Sequence, residues 1–168
     1  LYFTDPPYGL AKDAVRELDF CGVYRLSAEG QLSLLTDELT RPIGIAFSPD
    51  EKTLYVAQSD RERAIWMAYD VAPSGSIRNG RVFSDVTPLV KKLKGLPDGM
   101  KVDRAGNLFA TGPGGVNVFT PDGKLLGRIN PGVATANCCF GDPDGGTLSV
   151  AADDTLARIR TRTRGARF

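Results

Sequence analysis

The chain has 168 residues, of which 42% are apolar and 24% charged, with a formal net charge of +1 at pH 7. Such a composition is typical of a globular protein, and the balanced charge gives no electrostatic case for a nucleic-acid or anionic-membrane partner. The sequence contains no histidine, which excludes Ser-His-Asp and Cys-His nucleophile systems and histidine-ligated zinc.

The sequence predicts neither a membrane-spanning segment nor a disulfide framework. No run of 18 apolar residues occurs, so the sequence predicts no membrane span. The three cysteines show no metal-binding spacing, and their odd number argues against a disulfide framework. We expect a soluble protein, cytoplasmic or periplasmic, and the sequence does not decide between the two compartments.

The first part of the chain is predicted to form three strands. An apolar strand at Leu1 to Thr4 ends at Asp5-Pro6-Pro7, because proline lacks the N–H that a sheet ladder needs. Leu10 to Phe20 is predicted to be a long loop, with weak spacing for one helical turn. Two further strands are expected at Gly22–Leu26 and Leu32–Leu35.

Two four-stranded units and a three-stranded unit are predicted after this. The segment between the two four-stranded units, residues 84–95, predicts a short helix near Pro88 capped by Ser84 or Asp85. The predicted strands are 43–47, 54–58, 64–71 and 80–83, then 99–102, 108–111, 115–119 and 125–129, and finally three strands between 137 and 159.

These units are copies of one hairpin plan. Each has a corner, an apolar strand, a polar turn and a second strand that begins near a leucine. From corner residue to leucine the offset is 11 for Ile43 and Leu54, 10 for Asp98 and Leu108, and 11 for Asn137 and Leu148. Leu1-Tyr2-Phe3-Thr4 matches the second strand of this plan, so we expect the chain to begin within a repeat.

Repeated four-stranded meanders predict an all-β protein that forms part of a β-propeller. The chain corresponds to about three and a half blades, near residues 1–40, 41–95, 96–134 and 135–168, in one incomplete domain. Because each blade buries its faces against neighbours, two alternatives are open. Either the chain is a piece of a larger propeller, or it pairs with a copy of itself as a homodimer.

The corner residues are the candidates for chemistry, because the first strand of each blade lines the propeller axis. Ile43, Asp98 and Asn137 are then expected to converge on one mouth. A carboxylate and an amide suit a hard divalent cation. A purely structural interpretation stays open for Asp98, because Pro-Asp also occurs in hairpin turns at Pro49-Asp50, Pro121-Asp122 and Pro143-Asp144. Its position at the start of a blade, in register with Asn137, favours a functional one.

Four motifs in order resemble the gluconolactonase branch of the SMP-30/gluconolactonase/LRE-like family, and the resemblance covers the whole chain. The motifs are Tyr2-Phe3-Thr4-Asp5-Pro6-Pro7-Tyr8-Gly9-Leu10, residues 44–56, Leu96-Pro97-Asp98-Gly99-Met100-Lys101-Val102-Asp103, and residues 135–141. The resemblance implies a six-bladed propeller with a divalent metal (Ca, Zn, Mn or Fe) at the axial mouth, hydrolysing sugar lactones.

The same resemblance assigns expected roles to individual residues. It makes Asp98 a metal ligand and a candidate catalytic base. It puts Ile43 where the family has a metal-binding asparagine, and it would place a glutamate ligand upstream of Leu1. Asn137, Asp5 and Tyr8 are expected in the substrate pocket, although for Asp5 the loop-breaking role and for Tyr8 packing are alternatives.

Two functions follow from these expectations. The first is a metal-dependent lactone hydrolase with an impaired metal site, acting on a small-molecule lactone. The second is a non-catalytic propeller scaffold or binding module derived from a lactonase, in which Ile43 marks the loss of the metal site.

Overall fold

The structure is a computed structural model that describes residues 1–11 and 15–166. In those residues it contains fourteen strands, arranged in four antiparallel sheets of three, four, four and three strands. Within each sheet the strands follow one another in chain order. The helical turn predicted in the loop after the first strand involves residues 12–14, which lie outside the described residues.

The first two sheets occupy residues 2–85. The first consists of β1 (Tyr2–Asp5), β2 (Gly22–Leu26) and β3 (Leu32–Thr36), and the second of β4 (Pro42–Phe47), β5 (Thr53–Asp60), β6 (Arg63–Val71) and β7 (Ile77–Asp85). Strand β7 is longer than predicted at both ends. Two register shifts in the pairing with β6 accommodate the extra length. The sequence did not predict this length, because the run Arg78-Asn79-Gly80-Arg81 is polar and lacks the apolar alternation of a strand.

The last two sheets occupy residues 100–160. The third consists of β8 (Met100–Val102), β9 (Leu108–Gly112), β10 (Gly115–Phe119) and β11 (Leu125–Ile129), and the fourth of β12 (Thr135–Gly141), β13 (Thr147–Ala152) and β14 (Thr155–Arg160). The helix predicted near Pro88 is wrong in extent. The segment forms a single 3₁₀ turn, Thr87–Leu89, and Gly95 at φ 98° ends the turns that follow it.

The hairpin repeat found in the sequence is a repeat of pairing register. The last apolar residue of each first strand is opposite a leucine at the first or second position of the second strand. The three pairs are Phe47 with Leu54, Val102 with Leu108, and Phe140 with Leu148. A common offset in the sequence therefore corresponds to a common geometry.

The turns inside these hairpins also share a left-handed position. Gly106 (φ 85°) and Gly145 (φ 67°) each donate their N–H to the residue three before, and Glu51 (φ 56°) does the same to Ser48. A side chain is disfavoured in this conformation, whereas glycine is not. Glu51 is therefore a local source of strain in the second sheet.

Replacing Glu51 by glycine should stabilise the protein. We expect Glu51→Gly to raise the free energy of unfolding by about 0.5–1 kcal/mol, because relief of left-handed strain exceeds the added unfolded-state entropy. Urea unfolding measures the change. Glu62→Gly, at an exposed turn position without positive φ, is the control and should be neutral or destabilising. Destabilisation by Glu51→Gly would contradict the proposed strain.

The hydrophobic core consists of three layers between successive sheets. Val23 and Met67 belong to the layer between the first and second sheets, Trp66 and Met100 to the next, and Val116 with other residues to the last. Trp66 is fully buried and packs edge-on against Phe119 across the second layer. The sheets thus pack face to face in series, as consecutive blades of a partial propeller.

Strand β1 is equivalent to the second strand of the later blades. The Thr4 hydroxyl donates to the carbonyl of Ile43 at 2.6 Å, and the Thr111 hydroxyl at the end of β9 donates to the carbonyl of Ala136 at 3.1 Å. In both cases a threonine at the next-to-last position of one strand reaches the corner of the next blade. In the described part of the chain, no helix is long and apolar enough to cross a membrane.

Candidate functional site

The corners at the beginnings of the inner strands lie side by side. A Cβ atom placed on Gly44 would be 2.0 Å from the carbonyl oxygen of Asp98, and one placed on Gly99 would be 2.1 Å from Oδ1 of Asn137. Only glycine permits so close an approach of the Asp98 backbone at Gly44 and of the Asn137 side chain at Gly99. The three corners predicted to converge are therefore neighbours around one end of the sheets.

Backbone hydrogen bonds fix the corner that carries Asp98. Its N–H donates to the carbonyl of Thr111 at 3.1 Å, and the N–H of Gly99 donates to the carbonyl of Ala136 at 2.9 Å. The buried Thr111 hydroxyl lies within 2.9 Å of the Gly99 carbonyl, so this side chain joins the third blade to the fourth. The backbone that carries the Asp98 side chain is thus held by the third and fourth blades together.

An open cavity of about 980 Å³ lies at this end of the molecule. Asp98 and Ile43 both line it, as expected from their positions at blade corners. Its other polar or charged lining side chains belong to Tyr8, Ser59, Arg61, Lys94, Thr135 and Asp153. Apolar surface between these groups comes chiefly from Val90, Leu93, Leu96 and Val133.

Burial in the cavity makes the Asp98 carboxyl less acidic. Removal from water raises its pKa from 3.8 to about 6, while the nearby N–H of Gly99 acts weakly in the opposite direction. No ion pair within the described residues compensates the charge. A carboxyl with a pKa this close to neutrality can both accept and return a proton at physiological pH.

The three residues expected in the pocket are placed differently. Tyr8 lines the cavity, and its hydroxyl donates to the carbonyl of Ser59 at 3.0 Å, which fastens the long loop over the end of β5. Asn137 is exposed beside Gly99, and its Oδ1 accepts the N–H of Cys138 at 2.9 Å, so it adjoins the cavity without lining it. Asp5 lines a separate cavity of about 300 Å³ under the loop.

Metal ligands are scarce at this site. Ile43 presents an apolar side chain beside Asp98, and the described residues contain no group of three or more acidic or cysteine side chains that could hold a metal ion. One carboxylate and a neighbouring amide are fewer than the six to eight oxygens that calcium takes. The donor set among the described residues does not fit a divalent metal by itself.

Several cavity residues were not expected from the sequence. The segment from Val90 to Leu96, together with Arg61 and Asp153, forms much of the wall. The sequence did contain a sign of the segment from Val90 to Leu96. The spacing between Ile43 and Asp98 is 55 residues, whereas that between Asp98 and Asn137 is 39. The longer spacing reflects an insert, and this insert reaches the site.

The close approach at Gly44 provides a test of this geometry. Alanine there would push against the Asp98 carbonyl, so Gly44→Ala should lower the free energy of unfolding by about 1–3 kcal/mol. Gly141→Ala is a matched control, because nothing lies within 4 Å of its added methyl group. Urea unfolding compares the two variants, and equal stability of both would contradict the predicted contact.

Known proteins match most of this chain. A gluconolactonase of Zymomonas mobilis is 44% identical over 98% of the chain, and a pentonolactonase of Haloferax volcanii is 33% identical over 76% of it. The chain covers 48% and 43% of these two proteins, so it spans less than half of their lengths.

Solved structures show the same likeness. A gluconolactonase of Xanthomonas campestris superposes with a TM-score of 0.82 at 38% identity, covering 95% of this chain and 52% of that one. A regucalcin of Agrobacterium tumefaciens, described as a calcium-binding protein, superposes with a TM-score of 0.69 at 26% identity, covering 88% and 54%.

A family model describes the relationship most directly. The model of the SMP-30/gluconolactonase/LRE-like region matches residues 1–153, which include all four sheets up to the turn after β13. The chain belongs to the SMP-30/gluconolactonase/LRE-like family.

Proposed function

We propose that this chain is part of a sugar-lactone hydrolase and that Asp98 is its general base. The single observation that carries the proposal is that Asp98 lines the shared cavity, on a backbone held by two blades, with the pKa of its carboxyl raised to about 6. Family membership and the names of the lactonase relatives support the reaction class.

The chemistry required of Asp98 is a proton cycle. The ionised carboxylate removes a proton from a water molecule as the water oxygen attacks the lactone carbonyl carbon. The tetrahedral intermediate then expels the ring oxygen, which takes the proton back from the Asp98 carboxylic acid. One C–O bond has formed, another has broken, and the product is an open-chain hydroxy acid.

The metal of the family enters no step of this scheme. The related regucalcin is described as calcium-binding. In this chain Ile43 lines the cavity at the corner where the family resemblance predicts a metal-binding asparagine. Burying a cation beside an apolar branched side chain without further oxygens is unfavourable. Calcium, zinc, manganese or iron would require ligands beyond those described in this chain.

The pH dependence of lactone hydrolysis tests this function. Acid release from glucono-1,5-lactone, corrected for spontaneous hydrolysis, should rise about tenfold per pH unit below pH 6 and level off above it, because only ionised Asp98 accepts the proton. Addition of calcium, zinc or manganese shows whether outside metal contributes. A rate indistinguishable from buffer at every pH and with each metal would reject hydrolysis by this chain.

A second candidate function is favoured by Ile43. The apolar corner and the incomplete donor set are what a non-catalytic propeller module derived from a lactonase would show. Such a module would take up no metal in calorimetry and would bind ligands equally well after Asp98→Asn. Saturable hydrolysis that depends on Asp98 would exclude this alternative.

A further inference from the structure

Two cationic side chains of the cavity have no role in the proton cycle. Arg61 lies in the turn between β5 and β6, and Lys94 lies in the segment between β7 and β8. Both line the cavity that contains Asp98. Within the part of the chain that the structure describes, neither side chain has an ion-pair or hydrogen-bond partner.

The backbone positions of both cations are fixed. The carbonyl of Lys94 accepts the N–H of Gly114 at 2.9 Å, and Asp98, four residues later, is bonded to Thr111. Beside Arg61, the carboxylate of Asp60 accepts the Thr40 hydroxyl at 2.6 Å and the N–H of Glu62 at 3.0 Å. Asp60 is therefore committed to other partners, and among the described residues the guanidinium of Arg61 has no partner.

The charges of the cavity wall are separated in space. One cation, Arg61, comes from the β5–β6 turn of the second blade, and the other, Lys94, comes from the segment that joins the second blade to the third. Asp153 lies in the turn between β13 and β14 of the fourth blade, on the other side of the third. The cavity therefore has a positive side and a negative side, with Asp98 at the corner of the blade between them.

A neutral sugar lactone has no group that would use the positive side fully. A guanidinium and an ammonium are the usual partners of carboxylates and phosphates, and charge-assisted hydrogen bonds to them are stronger than neutral ones. We propose that Arg61 and Lys94 form a subsite for an anionic substituent, carboxylate or phosphate, on the lactone at a carbon remote from its carbonyl. This inference rests on the proposed lactone hydrolysis and names its preferred substrates.

Equilibrium binding tests the subsite without requiring turnover. Calorimetry compares gluconate with glucarate and 6-phosphogluconate, which differ from it by one terminal carboxylate or phosphate. We expect at least one of these two more negatively charged ligands to bind about tenfold more tightly than gluconate at low salt, with the advantage shrinking as ionic strength rises. The ligand that shows the larger advantage identifies the substituent.

Substitution of the cations links the effect to the subsite. Arg61→Gln with Lys94→Gln should remove the advantage while leaving the unfolding temperature unchanged. Arg63→Gln with Lys92→Gln, two exposed cations that do not line the cavity, should preserve it. The subsite would be overturned if all three ligands bind equally or if none of them binds. An advantage that survives Arg61→Gln with Lys94→Gln would also overturn it.

A kinetic comparison separates this inference from the proposed function. If neutral glucono-1,5-lactone is hydrolysed but 6-phosphoglucono-1,5-lactone and glucaro-1,4-lactone have no higher kcat/KM, the subsite is wrong and the hydrolase assignment stands. If no lactone is hydrolysed, the hydrolase assignment fails, and the calorimetric comparison alone decides whether the anion subsite exists.

Discussion

Asp98→Asn is expected to reduce lactone hydrolysis by about 10²- to 10⁴-fold, the range over which a general base contributes to catalysis. The amide keeps the shape of the side chain but cannot accept the proton of the attacking water. Acid release from glucono-1,5-lactone in weak buffer, at a pH above 6, measures the loss. Since the change is nearly isosteric, the cavity itself should be preserved.

A matched control is available within the same chain. Asp122 lies in another Pro-Asp-Gly sequence, in the exposed turn between β10 and β11, and its side chain bonds Thr120 outside the cavity. Asp122→Asn should leave the rate unchanged. Undiminished activity of Asp98→Asn, or an equal loss in Asp122→Asn, would remove Asp98 from the mechanism.

Stability distinguishes loss of chemistry from loss of structure. The raised pKa means that the folded state holds the Asp98 proton more tightly than the unfolded state does. The stability of the parent protein should therefore fall as pH rises from about 4 to about 6, where this carboxyl loses its proton in the folded state. Asp98→Asn lacks this cost, so its unfolding temperature at neutral pH should be equal or higher.

Self-association is the second large effect that we expect. The face of the first sheet directed away from the second sheet is apolar. Tyr2 and Val23 pack toward the second sheet, whereas Phe3 and Tyr24 stack on the opposite face with ring centroids 5.3 Å apart. Cross-strand pairing adds to that opposite face Leu26, Leu32 and Leu34, of which Leu32 is 59% and Leu34 45% exposed.

A second copy of the chain offers a suitable cover. The outer face of the fourth sheet is also uncovered, with Leu156 73% exposed and opposite Ala151. Within the molecule, each pair of successive sheets buries apolar faces against each other. Seating the fourth sheet of one copy on the first sheet of another would repeat that packing and remove an exposed apolar patch from water.

Light scattering at micromolar concentration should accordingly report a mass of at least two chains. Leu32→Lys with Leu34→Lys should return a monomer, because a charged face cannot be buried without partners. Leu125→Lys with Leu126→Lys, on the outer strand of the third sheet, is the control and should leave the mass unchanged. A monomeric parent protein would contradict this mode of association.

The repeat was the feature most accessible from sequence. Leu54, Leu108 and Leu148 follow their corners at nearly constant offsets because each pairs with the last apolar residue of an inner strand. Side chains that alternate on a pleated strand leave a regular pattern. Fold class and strand order could therefore be predicted, including the place of Asp98 at a blade corner.

Features that depend on local exceptions could not be predicted. The length of β7 is hidden by its polar residues and register shifts, and the segment near Pro88 makes only one 3₁₀ turn. Arg61 and Lys94 carry no pattern, because an exposed cation in a turn looks the same whether or not a cavity lies beside it. The candidate site was thus found through its carboxylate, and its cationic wall only through the structure.

The central claim is that blade corners enclose a shared cavity and withdraw the Asp98 carboxyl from water. A nuclear magnetic resonance titration of the ¹³Cγ signals of aspartate tests it, with the Asp98 resonance assigned by its disappearance in Asp98→Asn. We predict a titration midpoint at about pH 6. A midpoint at about pH 4, the value of a freely solvated aspartate, would show that no such enclosure exists.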